Sequence, residues 1–296
     1  MTRLSYAAIT PVRNEVENVR RLADSLEAQL FRPVSWVIVD NGSSDETQSL
    51  AAELAETRNW IHVLSVPGDA RARPGAPIVR AFHAGLETLG TLPDVIVKLD
   101  ADVSCDPDYF ERVLEAFEDD ERLGITSGTC LEEENGVWRA QAVTGDHVRG
   151  ATRAYRRECL QAVLPLEERV GWDGIDELKA HVLGWRTRML TDVSFRHHRK
   201  VGQRDGGAAA RWRALGSASY FMGYRFSYLL MRAVHRSRRD PAALAMIGSY
   251  LGAWLRREPR YSDVSVVAHL REQQSLRRLR LRAREALGRA GSQQSS

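Results

Sequence analysis

Short apolar runs alternate with longer amphipathic stretches through the first hundred residues, and almost every run ends in a polar cluster. Residues 6–10, 35–40, 61–66 and 94–99 are rich in β-branched side chains and have the length of buried strands. Between them, residues 16–30, 45–56 and 77–89 carry apolar side chains at helical spacing; in the first of these, Val19, Leu22, Ala23 and Leu26 form one stripe. Strand–helix–strand alternation predicts an α/β fold, with a mainly parallel central sheet flanked by helices. Ligands of such sheets sit beyond the carboxyl ends of the strands. The polar clusters that follow the strands are therefore the first places to look for chemistry.

The alternation continues with a helix over 106–118, opened by Asp106-Pro107, and strands over 124–130, around 137–143 and over 150–155. A helix over 173–183 and a strand over 188–195 follow. After Gly206-Gly207 the texture changes to helices rich in arginine and aromatics. This places an α/β domain at 1–207, a basic helical region at 208–290 and a polar, disordered tail at 291–296. The charge divides the same way. Residues 208–296 hold 17 arginines, no lysine and five acidic residues, so their net charge is +12 and residues 1–207 carry −9. The acidic front suits a site that uses a cation, and the basic end suits an anionic surface.

Cys105, Cys130 and Cys159 are far apart, odd in number and outside any CxxC pair, so they read as reduced thiols of a cytoplasmic protein. The N-terminus lacks the longer apolar stretch of a signal peptide. No apolar run approaches the ~20 residues of a membrane-spanning helix.

The sharpest motif is Val95-Ile96-Val97-Lys98-Leu99-Asp100-Ala101-Asp102. In an extended segment residues i and i+2 point the same way, so both carboxylates can face one cavity. Hard cations such as Mg²⁺ take oxygen ligands and share them with substrate phosphates. A strand end that merely caps the next helix is the plainer reading. Strand two ends in Asp40-Asn41-Gly42-Ser43-Ser44-Asp45, where Ser44 or Asp45 suits an N-cap and Asp40 is left to accept hydrogen bonds. Strand one ends in Thr10-Pro11-Val12-Arg13-Asn14-Glu15.

Taken in order, Thr10-Pro11-x-Arg13-Asn14-Glu15, Asp40-x-Gly42-Ser43-x-Asp45 and Asp100-x-Asp102 resemble the family-two glycosyltransferases of the GT-A fold, over about residues 5–200. The resemblance implies inverting transfer from a nucleoside diphosphate sugar, UDP-linked before GDP-linked, to a hydroxyl of a glycan or lipid-linked acceptor. It implies Mg²⁺ or Mn²⁺ held by Asp102 and Asp100, and a donor site formed by Pro11, Arg13, Glu15, Asp40, Arg73 (or Arg71) and Asp100. Arg13 stands where the family often has an aromatic residue, which weakens the reason for preferring uracil. Gly150–Arg156 resembles the strand lining the acceptor side. The next segment, Gly171-Trp172-Asp173-Gly174-Ile175-Asp176-Glu177, would supply the base that deprotonates the acceptor, Asp176 before Asp173, with Trp172 as a sugar-stacking surface. Helix capping explains either aspartate equally well. The resemblance implies that Phe195-Arg196-His197-His198-Arg199-Lys200 would bring one late histidine, His197 or His198, to the metal, with basic neighbours suited to phosphate oxygens; a surface basic cluster is the plainer reading.

In the last third, residues 220–235 and 242–255 are apolar with arginine borders. Such helices lie on an anionic membrane surface, here the inner face, or pack against protein. No recognised nucleic-acid-binding motif frames the arginines of 276–289. Two other functions fit less of the pattern. A nucleotidyltransferase would need a glycine-rich phosphate loop where residues 11–15 lie. A non-catalytic docking protein on a decayed transferase fold would not need an intact DxD.

Overall fold

The structure is a computed structural model that describes residues 3–69, 72–141, 147–199 and 207–275. The chain divides into two compact units, residues 1–141 with 146–201, and a second built on residues from 202 onward. Of the expected boundary pair Gly206-Gly207, Gly206 lies outside the described residues, as do Arg71, Lys200, the basic run 276–289 and the 291–296 tail.

The first unit is built on β1 (Tyr6–Val12), β2 (Ser35–Asp40), β3 (Ile61–Ser65) and β4 (Val95–Leu99), parallel neighbours in the order β3-β2-β1-β4. They are joined by α1 (Val16–Glu27), α2 (Thr47–Thr57) and α3 (Ala76–Thr88). Because successive strand residues point to opposite faces, each strand feeds two cores. Ala8, Ile38, Val95 and Val97 pack with Val19, Leu22, Leu50 and Leu54 of α1 and α2. Ile9, Val37, Val39 and Ile96 pack with Val79 and Phe82 of α3. Both faces are covered, which is why these strands read as continuous apolar runs rather than alternating ones. α3 lies so close to the sheet that a Cβ on Gly85 would sit 2.5 Å from Ile9 Cγ2.

Beyond β4 the sheet takes up antiparallel pairs. β8 (Thr152–Arg156) runs against β4, then come β6 (Leu123–Glu134) and β9 (Arg186–His197), parallel to each other. β5 (Val103–Cys105) closes this edge against β9, and β7 (Val137–Ala140) pairs with β6. Helices α4 (Tyr109–Asp119), α5 (Arg157–Val163) and α6 (Trp172–Val182) complete the layers. β6 extends to Glu134 because β9 supplies a partner register as far as Glu132↔His197. β5 and α5 are too short for periodicity to announce them. α2 starts at Thr47, after Glu46, and Asp45 accepts from Thr47 N at 3.0 Å.

The second unit holds α7 (Ala208–Phe221), α8 (Phe226–Ser237), α9 (Ala245–Leu255) and α10 (Val264–Gln273). Its core is Trp212, Tyr220, Leu229, Ala233, Met246, Tyr250 and Ala253. The apolar stretch 220–235 is broken where Gly223 takes a positive φ of 80°, and α8 begins only at Phe226. No helix among the described residues is long and apolar enough to cross a membrane.

Candidate active site

Since β2, β1 and β4 are adjacent and parallel, their carboxyl ends open on one edge of the sheet, and side-chain bonds tie the three tips together. Asn14, held at φ 54°, accepts from Ser44 N at 2.7 Å through its side chain and donates its own N–H to Ser43 Oγ at 2.9 Å. Glu15 N donates to Thr47 Oγ1 at 2.8 Å. Asp40, buried at 3 %, accepts from Ser43 N at 3.2 Å and from the Ser43 hydroxyl. Pro11 is half-buried beside Val39, and Arg13 and Arg73 are exposed.

Asp100 and Asp102 follow β4, and His197 ends β9. The three offer ligand atoms that all lie within 4.8 Å of one another. His197 Nε2 is 3.3 Å from Asp102 Oδ1, and Arg199 Nη1 is 3.6 Å from Asp102 Oδ2. Arg199 also grips Glu15 through two bonds of 2.8 and 2.6 Å, so it links the first strand tip to the carboxylate pair. That fork geometry is specific to arginine. Desolvation by the surrounding protein raises the Asp100 carboxyl even though part of the side chain reaches solvent. Lys98 pulls it down, and Asp102 pushes it up again. Burial alone would raise Asp102 as well, but His197 and Arg199 outweigh it and hold it low. Burial would lower His197, and Asp102 lifts it above the usual imidazole range.

The donor set, two carboxylates and one imidazole, fits a hard or borderline divalent cation such as Mg²⁺ or Mn²⁺. Of the two candidate histidines, His197 joins this group. His198 is exposed; its Nε2 lies 2.8 Å from Ser104 Oγ, and its ring packs edge-on to Trp138. Alternation along β9 separates the two rings.

Lys98 is a site residue that the motif reading passes over. It is 3 % exposed, pairs with Asp100, donates to Gly150 O at 3.1 Å and lies 5.7 Å from the Trp172 ring centroid. The signal was a charge inside an otherwise apolar buried run. Arg153 was missed too. It is fully buried and holds Asp176 through Nε at 3.0 Å and Nη2 at 2.7 Å, Glu177 at 3.1 Å, and the carbonyls of Val148 and Asp173. Tyr155 Oη adds a 2.5 Å bond to Asp176, and Glu177 N another of 2.6 Å. Burial pushes the Asp176 carboxyl up to about 7, against the pull of Arg153.

Asp176 is thus 1 % exposed with both oxygens occupied, whereas Asp173, one turn earlier, is only partly buried. Asp173 lies beside Gly150, whose carbonyl binds Lys98. Trp172 does not offer an open stacking face: it is 8 % exposed, with Lys98 and Arg153 against its ring. Gly75, the residue before α3, has φ 89° and lets the backbone of Arg169 approach to 2.5 Å of where a Cβ would stand. Its close approach is to protein.

A parallel sheet with clustered acids at its carboxyl edge defines the GT-A class. Solved structures share this architecture. A mannosyltransferase from Pyrobaculum calidifontis, in complex with GDP-Man and Mn²⁺, superposes with a TM-score of 0.60 at 19% identity, covering 91% of this chain and 79% of its own. GalNAc-T7 with UDP, GalNAc and Mn²⁺ gives 0.60 at 11% identity, covering 88% and 55%. The glycosyl transferase family 2 model matches residues 7–158, and the chain belongs to that family. Curated relatives include a polyprenol monophosphomannose synthase from Mycolicibacterium smegmatis, 30% identical over 52% of this chain and 63% of its own. Another is an undecaprenyl-phosphate 4-deoxy-4-formamido-L-arabinose transferase from Klebsiella pneumoniae, 26% identical over 55% and 52%. The chain spans between half and two thirds of the length of these relatives.

Proposed function

We propose that the protein transfers one sugar, with inversion, from a nucleoside diphosphate sugar to a hydroxyl of a glycan or lipid-linked acceptor, as in polysaccharide biosynthesis. The observation that carries this reading is the Asp100–Asp102–His197 group at the carboxyl edge of the parallel sheet. These three residues would hold Mg²⁺ or Mn²⁺, and the ion would neutralise charge on the departing diphosphate. Arg199, braced by Glu15, keeps Asp102 ionised and adds a positive charge beside it. Lys98 pulls the Asp100 carboxyl down from below the rim, against the burial that raises it. Asp40, Pro11 and Arg13 would meet the base, and Arg73 the phosphates or ribose. The donor is UDP-linked first by family habit, and the GDP-Man complex of the similar mannosyltransferase keeps a GDP-linked donor as the alternative.

For the acceptor proton, Asp173 suits the role of general base better than Asp176. A base must reach its proton within hydrogen-bond distance, and every oxygen of Asp176 is already engaged below the surface. A second reading changes the acceptor from a hydroxyl to the phosphate of a polyprenol, which both curated relatives' names favour. A phosphate oxygen is already anionic and needs no base. Asp173→Asn separates the two readings: a loss of about 10²-fold or more supports the hydroxyl, and near-wild-type transfer supports the phosphate. Work on a lipid-linked acceptor would place the protein in the cytoplasm, peripheral to the inner face of the membrane.

The direct test is turnover of UDP- and GDP-sugars with and without Mn²⁺. Cation-dependent release of the diphosphate supports the reading. A protein that binds these donors and never cleaves them, with any acceptor, would be the docking protein instead.

A further inference from the structure

His197 has two ring nitrogens, and the site described above accounts for one of them. Nε2 faces Asp102 at 3.3 Å. Nδ1 is buried and has no hydrogen-bond partner, on a side chain that is only 10 % exposed. A buried ring nitrogen without a partner costs on the order of 1–3 kcal/mol, so an ion or proton acceptor beside it is worth seeking. Two further donors stand there. Glu132 is directly across from His197 in the β6–β9 ladder, and Cys130, two residues earlier on β6, points to the same face. Cys130 Sγ, a Glu132 carboxylate oxygen and a His197 ring nitrogen all lie within 4.8 Å of one another, and no hydrogen bond joins them. Neighbouring strands fix the spacing, so the three donors are arranged before any ligand arrives.

We propose that Cys130, Glu132 and His197 Nδ1 form a second cation site, for a borderline or soft ion of the Zn²⁺ class, back to back with the carboxylate site across the His197 ring. The donors argue for that class. Thiolate with imidazole selects Zn²⁺ or Co²⁺ over Mg²⁺ or Mn²⁺, which prefer oxygen. Three protein ligands leave a fourth tetrahedral position open. Binding breaks the Cys130 S–H bond and forms a metal–sulfur bond, and the thiol proton, with the Nδ1 proton of a charged ring, goes to solvent; the remaining ring proton stays on Nε2 toward Asp102, and leaves as well only if an ion fills the carboxylate site at the same time. In the free protein, burial holds the thiol up at about 11, while Arg149 draws it down. Arg149 makes no ion pair or hydrogen bond among the described residues, so its charge is available to the thiolate. Neither Cys105 nor Cys159 belongs to a comparable donor group among the described residues.

Sulfur makes the test independent of the transferase reading, because the Asp100–Asp102–His197 group contains none. The reduced full chain is titrated with CoCl₂ in the presence of Mg²⁺, and the thiolate-to-cobalt charge-transfer band is followed in the near ultraviolet. The expected result is a band that saturates at one equivalent and is absent in Cys130→Ser. It persists in Asp102→Asn. Glu132→Gln keeps the thiol and the fold, and it should weaken Co²⁺ binding on the order of 10–100-fold. No band in the wild type, or a band unchanged in Cys130→Ser or Glu132→Gln, overturns the site. Failure of sugar transfer would leave these spectra untouched.

Discussion

Two groups of acids lie in the same unit and differ in what surrounds them. Asp100 and Asp102 stand at the carboxyl edge of the sheet, where Lys98 of β4, and His197 and Arg199 at and just past the end of β9, offset their charge. Asp176 and Glu177 lie on the buried face of α6, and one guanidinium, that of Arg153, serves both. In the buried group each oxygen of Asp176 has two donors, and nothing is left to offer a ligand. In the edge group carboxylate oxygens and one imidazole nitrogen converge to within 4.8 Å of one another. Acidic residues at expected positions are therefore poor guides by themselves. What separates the two groups is whether hydrogen-bond donors below the surface already occupy every carboxylate oxygen.

The largest effect should come from breaking the buried group. Arg153→Met leaves two carboxylates without their cation, and chemical denaturation should register a loss of about 3–5 kcal/mol. Adding Asp176→Leu to that variant should recover part of it, since the pair couples. The edge group should respond in the opposite currency. Asp102→Asn should reduce turnover by about 10²–10³-fold, the scale of losing one preorganised electrostatic partner, while the melting temperature barely moves. Comparable activity in Asp102→Asn and wild type would erase the distinction between the groups.

Finer contrasts follow from the histidines. His197→Gln should impair Mn²⁺-dependent turnover, and His198→Gln should leave it within about threefold in steady-state assays, as expected of a surface substitution away from the site. The smallest effect concerns His147, whose Nδ1 is 3.0 Å from Glu177. Burial would lower this imidazole, but Glu177 and Asp173 raise it above 6.5. A raised imidazole contributes stability that is fully present below the unfolded value and is lost as pH rises through the folded one. The stability difference between wild type and His147→Gln should therefore shrink from pH 6 to pH 8 in paired thermal melts.

Most of the edge group was legible in the sequence because it is local. Asp40, Glu15, Asp100 and Asp102 each follow an apolar run, and a parallel sheet brings successive strand tips to one side. The buried group was not legible for the converse reason. Arg153 meets Asp176 across 23 residues and a change of element, and no spacing rule encodes that encounter. Asp176 looked like a base because a helix start with several acids gives no sign of which face is buried. The Glu177 and Asp176 side chains share the interior with Leu178 and Ile175, so helical periodicity did not single them out. His197 and His198 were inseparable until β9 fixed the alternation. Lys98 was visible in the sequence as a charge in an apolar run, and its partner was two residues away.

The account stands on the edge group holding a divalent ion that the buried group cannot hold. A Mn²⁺ titration followed by electron paramagnetic resonance, run on wild type, Asp102→Asn and Asp176→Asn, tests it directly. The prediction is one bound Mn²⁺ in wild type and in Asp176→Asn, with the ion lost or weakened at least tenfold in Asp102→Asn. Equal Mn²⁺ binding in wild type and Asp102→Asn, or its loss in Asp176→Asn alone, would contradict it.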